Sequence, residues 1–125
     1  MRYRPGILKS SFNFLLIFIL FSGCHGLHPG TEPINRQESR LIYTKHARCR
    51  MDCRHITEKE IKEILHDGEI NYSKSEPESH PDPKYAIDGY TKEGQHLRIV
   101  FASSDRGLVV VTCIELGVEW QCDCH

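Results

Sequence analysis

The side chains with the most distinctive chemistry in this sequence are its six cysteines and eight histidines, in a chain of 125 residues. Cys49 and Cys53 are four residues apart, which places both thiols on one face of a helix. Cys122 and Cys124 are two residues apart, which places both on one face of an extended segment. Four thiols that converge from two segments can form disulfides, bind a metal ion or exchange disulfides with other thiols. These four residues, the cysteine cluster, are therefore the candidate functional site.

A zinc site is one interpretation of the cysteine cluster. Zinc prefers four thiolate or imidazole ligands in a tetrahedral arrangement, and two histidines lie beside the cysteine pairs. Neighbouring arginines favour the thiolate form that binds metal. On this interpretation the cofactor is zinc, and the candidate metal ligands are Cys49, Cys53, Cys122, Cys124, His46 and His125; on the others there is no cofactor.

Disulfides are a second interpretation, because an exported protein reaches an oxidising compartment. A bond from Cys49 or Cys53 to Cys122 or Cys124 closes a loop of about 70 residues and stabilises the fold by about 4 kcal/mol in the chain-entropy model. Free or redox-active thiols, in a thiol-redox or metal-handling protein, are the third interpretation. All three predict that the C-terminal segment lies against the first helix. Cys113 is predicted to be a small buried residue, because it lies in a Val-rich segment.

The amino-terminal segment has the pattern of an export signal. Residues 1–11 contain three basic side chains and no acid, and residues 12–21 form a mostly apolar run, FNFLLIFILF. That run is about half the length that a membrane-spanning helix needs. The next residues, up to Cys24, resemble a bacterial lipobox, with Phe21 where Leu is usual. The resemblance implies removal of residues 1–23, lipidation of Cys24 and attachment to a membrane face. An ordinary signal peptide and an uncleaved anchor are the alternatives.

Charge and length limit the function classes. The chain has 16 Lys and Arg against 17 Asp and Glu, and residues 1–23 contain three of the basic residues and none of the acids. The mature chain is therefore acidic, which argues against nucleic-acid binding. The length allows one domain and excludes a large cofactor-binding enzyme. We predict a non-enzymatic, periplasm-facing domain whose partner is the membrane, through the lipid anchor.

Two helices are predicted at the start of the domain. Thr44 is a candidate N-cap for a first helix over about residues 45–55. Thr57 and Glu60 have the spacing of a capping box, which begins a second helix. Gly68 is the residue type that commonly follows a helix end.

The rest of the domain has the alternating pattern of strands. The predicted strands cover residues 69–75, 84–91, 95–103 and 108–114. The sequence thus predicts a single α+β domain over residues 41–125, with two N-terminal helices packed on a three- to four-stranded antiparallel sheet. Residues 24–40, which contain Gly and Pro without periodicity, are predicted to be a flexible tether.

The segment from His46 to Thr57 resembles the start of the domain of unknown function 4258 family. The family pattern His-Ala-x-x-Arg-Met-x-x-Arg-Gly-Ile-Thr is matched by His46, Ala47, Arg50, Met51, Arg54, Ile56 and Thr57. His55 stands where the family commonly has Gly. The resemblance covers about residues 41–115 and implies a compact α+β fold similar to the BrnT and RelE ribonuclease toxins, without a known activity. A diverged ribonuclease-like toxin would use His46, Arg50 and Arg54, with the two arginines binding phosphate.

Overall fold

The computed structural model describes residues 32–125. The predicted export signal, Cys24 and the first part of the predicted tether lie outside the described residues. Two helices and five strands follow one another as β1 (Leu41–Tyr43), α1 (Lys45–Arg54), α2 (Glu58–Asp67), β2 (Glu69–Glu76), β3 (Lys84–Tyr90), β4 (His96–Ser104) and β5 (Gly107–Glu115). The predicted α+β class, with two helices before the main sheet, is confirmed.

The five strands form one mixed sheet in the order β1-β5-β4-β3-β2. The three pairs among β2, β3, β4 and β5 are antiparallel, and β1 pairs with β5 in parallel. The sheet is larger than the predicted three or four strands because Leu41–Tyr43 forms a strand before α1. Three residues give too short an alternation to predict a strand, and the partner, β5, is the last strand in the chain.

The core lies between the helices and one face of the sheet. Alternate residues of β4 are fully buried, as the pattern of that strand predicts. The largest fully buried side chains are Phe101, Ile61, Ile64, Leu65, Ile87, Leu97, Ile99, Val110 and Cys113.

Each helix has ten residues. Among residues 32–125, neither helix has the length and apolarity needed to cross a membrane.

Helix α2 begins and ends as predicted. Thr57 Oγ1 accepts a hydrogen bond from Glu60 N at 3.2 Å, and Glu60 Oε2 accepts one from Thr57 N at 2.8 Å, which completes the capping box. Gly68 is the C-cap, but its φ of −76° is open to any residue. A lack of space for a side chain explains why this residue is glycine, because a Cβ there would lie 2.8 Å from the carbonyl oxygen of Asp88 on β3.

Part of the predicted tether packs onto the domain. Ile34 is only 2% exposed and belongs to the hydrophobic core. Arg36 Nη1 donates to the carbonyl oxygens of Leu65 at 3.0 Å and Gly68 at 2.7 Å. These carbonyls lie at the end of α2, where helical partners are lacking. The ordered domain therefore includes residues before the predicted boundary at residue 41.

Candidate functional site

The C-terminal tail, residues 116–125, is joined to α1 by two disulfides. Cys49 is bonded to Cys124 and Cys53 to Cys122, with Cα–Cα distances of 5.8 and 5.9 Å. The tail begins where Leu116 N donates to the carbonyl oxygen of His96 at 2.7 Å. The predicted position of the C-terminal segment against the first helix is confirmed, and the disulfide interpretation is the one that the structure shows.

The helix and the tail run in opposite directions where the two bridges join them. The earlier cysteine of α1 is bonded to the later cysteine of the tail, and the other pair lies between them in sequence. Cys49 and Cys53 are separated by about one helical turn, so they share a face of α1. Cys124 is 9% exposed, whereas its three partners in the cluster are partly exposed.

Helix α1 needs this support because it has almost no apolar face. Its sequence, KHARCRMDCR, is mostly polar, and only Ala47 and Met51, one turn apart, are buried. Thr44 caps its start, with Oγ1 accepting from Ala47 N at 2.9 Å and donating to the carbonyl oxygen of Val111 at 3.1 Å. The same hydroxyl therefore caps the first turn of the helix and ties the helix to β5.

The end of α1 contacts the tail through an aromatic pair. His55 is the C-cap and has left-handed backbone angles, with φ 55° and ψ 40°. Its ring meets that of Trp120 edge-on, at 5.6 Å between centroids. Trp120 Nε1 donates to Glu115 Oε2 at 2.8 Å, which holds the indole in place. Left-handed angles favour Gly, which is common at this position of the family pattern. The histidine that replaces it here is the residue that packs against the tail.

The arginines predicted to bind phosphate are engaged within the fold. Arg54 Nη1 donates to the carbonyl oxygen of Cys113 on β5. Strand β1 pairs with β5 only from Leu108 to Val110, so Cys113 lies beyond this pairing. Arg54 supplies a hydrogen-bond donor to its carbonyl. Arg50 Nε donates to His46 Nε2 at 3.4 Å. His46, the third residue of the ribonuclease interpretation, is therefore also hydrogen-bonded within α1.

Arg48 forms a separate contact on the exposed side of α1. Its Nη1 lies 2.6 Å from Glu58 Oε1, and its guanidinium carbon lies 4.2 Å from the centroid of the Tyr43 ring. Burial, with a smaller contribution from the Glu58 carboxylate, raises the pKa of Tyr43 to about 12. The phenol is therefore neutral at physiological pH and packs beneath the guanidinium.

Cys113 is the free cysteine of residues 32–125, and it is buried, as predicted. Burial raises the pKa of its thiol to about 11, although Arg54 and Arg50 act in the opposite direction. A protonated, inaccessible thiol is a poor nucleophile. The residue therefore acts as a core side chain.

The predicted zinc ligands are not arranged as a metal site in this disulfide-bonded state. In the described part of the chain, no group of three or more His, Cys, Asp or Glu side chains has an arrangement suited to a metal ion. His46 accepts from Arg50, and His125 is exposed beside Asp123, with Nε2 2.5 Å from Oδ1. The structure brings the four cysteines together but leaves both histidines out of the cluster.

A second polar cluster lies on the sheet face away from the helices. Arg98 donates through Nε and Nη2 to the two carboxylate oxygens of Asp88, both at 2.8 Å, and Asn71 Nδ2 donates to the same carboxylate at 2.9 Å. The hydrogen bonds from Arg98 are the main reason that the pKa of Asp88 lies below its ordinary value. Sequence reasoning missed this pair, because the two residues meet only through the register of β3 and β4.

One family matches the chain. The model for the domain of unknown function DUF4258 covers residues 43–115. The chain belongs to the DUF4258 family. Among curated proteins and among solved structures, no match was found. The predicted likeness to the ribonuclease toxins therefore stays a prediction.

The DUF4258 match divides the cysteine cluster. Cys49 and Cys53 lie inside the matched residues, whereas Cys122 and Cys124 lie beyond residue 115, in the tail. Trp120, which sequence reasoning also missed, lies beyond it as well. The tail is therefore an addition to the matched domain, and both disulfides fasten that addition to α1.

Proposed function

We propose that this DUF4258 protein is an exported, lipid-anchored, non-enzymatic domain whose C-terminal tail is fastened over α1 by disulfides. The observation that carries the proposal is the pair of bridges, Cys49–Cys124 and Cys53–Cys122. Disulfides of this kind persist in oxidising compartments and are rare in the cytosol. They agree with the basic start, the apolar run at 12–21 and the lipobox-like cysteine, which are independent sequence features.

The membrane is the proposed partner, reached through the lipid on Cys24. Contacts with the domain begin at Ile34, which is buried in the core. The chain from Cys24 to Ile34, about ten residue steps, spans at most about 36 Å. The domain would therefore lie close to the membrane surface, on its periplasmic side, with the acidic mature chain exposed to solvent.

The absence of enzymatic activity is proposed from the contacts of the catalytic candidates. Arg54 donates to a β5 carbonyl, and Arg50 donates to His46. A ribonuclease needs such groups free to reach a phosphate and a ribose hydroxyl. The bridges and the tail instead add rigidity to a small domain with a limited core.

Membrane attachment is tested by the Cys24→Ser variant. The wild-type chain should partition into the detergent phase of a cloud-point separation, and its mature amino terminus should have the mass of a lipidated cysteine. The serine variant should lose the lipid mass and move to the aqueous phase. Ser22→Ala is the matched control and should behave like the wild type. A variant that keeps the detergent partition and the wild-type processing would reject the lipid anchor.

The bridges are tested by counting thiols in the protein isolated from membranes. After denaturation without reductant, one thiol, that of Cys113, should react with a maleimide, and reduction should release four more. Five reactive thiols without reductant would reject the disulfides. If one bound zinc accompanied those free thiols, the cluster would be a metal site in the isolated protein.

A further inference from the structure

We propose that, when its two disulfides are reduced, the cysteine cluster becomes a tetrathiolate site that binds one zinc ion and keeps the tail on α1. The inference builds on the proposed bridges and assigns a second chemical state to the same four sulfurs. It follows from the spacing of the four Cα atoms, from the local charge and from the exclusion of both histidines.

The backbone already has the spacing of a four-cysteine site. The two bonded pairs have Cα–Cα distances of 5.8 and 5.9 Å. Along α1 the two cysteines rise about 6 Å, and two residues of the tail span at most about 7 Å. The four Cα atoms therefore form a quadrilateral with sides of about 6 to 7 Å. Zinc–sulfur bonds of about 2.3 Å require neighbouring sulfurs to lie about 3.8 Å apart, which side-chain rotation can reach from this frame.

The charges around the cluster suit an anionic centre. A zinc ion with four thiolates has a net charge of −2, and cationic side chains that surround it stabilise the thiolates. Helix α1 carries four cationic side chains, Lys45, Arg48, Arg50 and Arg54. The carboxylates of the same region are those of Asp52 on the helix, Glu58, which pairs with Arg48, and Asp123 in the tail. Four positive charges against three negative charges leave a small positive excess, which offsets part of the charge of the site.

The structure also favours sulfur over nitrogen as the fourth ligand. The ring of His46 accepts from Arg50, and the ring of His125 faces Asp123. Each cysteine, in contrast, already lies opposite a second cysteine. Two ligands four residues apart on a helix are a recurring metal-binding arrangement. The cluster therefore predicts an S₄ donor set, which selects soft metal ions such as zinc.

The reaction that converts the two states needs a reductant of the dithiol class. Each bridge accepts two electrons and two protons and becomes two thiols, while one dithiol gives up the same electrons and protons and becomes a disulfide. Binding of Zn²⁺ by the four thiols then releases four protons. Three of the four cysteines are partly exposed, so a dithiol can reach both bridges.

Metal titration of the full-length protein, extracted in detergent, tests the proposal. The protein is reduced with a phosphine under nitrogen, freed of reductant and titrated with Zn²⁺ against a chromophoric chelator. We expect one zinc per reduced chain and none per disulfide-bonded chain. Cobalt(II) in place of zinc should give the thiolate-to-metal absorption of a tetrahedral sulfur site. Since folding and metal binding are coupled, zinc should also restore any helical circular dichroism that reduction removes.

Two variants separate the site from adventitious binding. Cys122→Ser with Cys124→Ser should lower the affinity of the reduced chain by more than about 100-fold, because loss of outer-shell groups alone costs 10- to 100-fold. Cys113→Ala should bind zinc like the wild type. No zinc binding by the reduced chain, equal binding by the double variant, or a cobalt spectrum without thiolate absorption would overturn the proposal. The thiol count of the untreated protein tests the proposed bridges separately, before any reductant is added.

Discussion

The two helices have the same length and opposite sources of stability. Helix α2 buries three large aliphatic side chains, Ile61, Ile64 and Leu65, and carries its own capping box. Helix α1 buries only Ala47 and Met51 and is held by bonds to β5 and by two disulfides to the tail. The α2 side of the domain is therefore stabilised by packing that its local sequence encodes. The α1 side is stabilised by contacts with segments at the far end of the chain.

The largest expected effect comes from removal of the bridges. One bridge closes a loop of about 70 residues and contributes about 4 kcal/mol in the chain-entropy model. Once it exists, the other bridge closes a ring of only about eight residues, 49–53 and 122–124, and adds about 2.5 kcal/mol. Paired Cys→Ala substitution of either bridge should therefore cost about 2.5 kcal/mol of unfolding free energy, whereas removal of both should cost about 7 kcal/mol.

Urea unfolding of the three variants and the wild type measures these costs. The effect of the double removal should exceed the sum of the two single ones, because each bridge substitutes for the other in closing the long loop. Addition of reductant to the variant without bridges is the control and should change nothing. A double effect no larger than one single effect would show that the bridges are peripheral to the stability of α1.

Ile64→Ala on α2 has the next largest expected effect. Ile64 is fully buried between the helix and the sheet, and large-to-alanine changes at such positions cost about 2–5 kcal/mol. Lys62→Ala, on the exposed side of the same helix, should cost less than about 0.5 kcal/mol. The Ile64 effect should be the same, within about 0.5 kcal/mol, in a chain that lacks the Cys49–Cys124 bridge. Strong non-additivity would contradict the separation of the two sides.

Arg54→Met tests the noncovalent attachment of α1. The substitution keeps the aliphatic stem but leaves the carbonyl oxygen of Cys113 without its guanidinium donor. A part-buried carbonyl that loses its partner costs about 1–3 kcal/mol. Arg48→Met is the matched control: it removes an exposed ion pair with Glu58 and a contact with the Tyr43 ring, each of which should contribute less than about 1 kcal/mol. Equal losses in the two variants would assign Arg54 a surface role instead.

The same contrast explains what the sequence could predict. Thr57, Glu60 and Gly68 lie within or beside α2, so local chemistry predicted both ends of that helix correctly. The proximity of the tail and the first helix could also be predicted. The cysteines of one pair are four residues apart, which places both on one face of a helix, and those of the other are two apart, which places both on one face of an extended segment. The choice between disulfides and metal could not, since all these states place the same four sulfurs together.

The features that sequence reasoning missed all depend on distant partners. Strand β1 exists through its pairing with β5, and Arg54 finds its acceptor on the same strand. Arg36 binds the end of α2 from within a segment that composition alone marked as a tether. Residue spacing predicts which side chains share a face of one helix or strand. It does not predict contacts between elements that are far apart in sequence.

The smallest expected effect concerns His55 and Trp120, where the end of α1 meets the tail. Gly at position 55 would relieve the left-handed backbone by about 1 kcal/mol, but it would remove an edge-on ring contact of about 0.5–1.5 kcal/mol. His55→Gly should therefore change the stability of the wild type little. In a Trp120→Ala chain, where no contact remains to be lost, the same substitution should stabilise by about 1 kcal/mol.

A double-mutant cycle on these two positions, followed by urea unfolding, gives the coupling directly. A coupling of about 0.5–1.5 kcal/mol would mean that the histidine is kept against backbone preference because it contacts the tail. His55→Asn controls for the backbone, because Asn tolerates left-handed angles but lacks the aromatic ring. If His55→Gly stabilised both backgrounds equally, the ring contact would contribute nothing, and the tail would be attached to α1 by its disulfides alone.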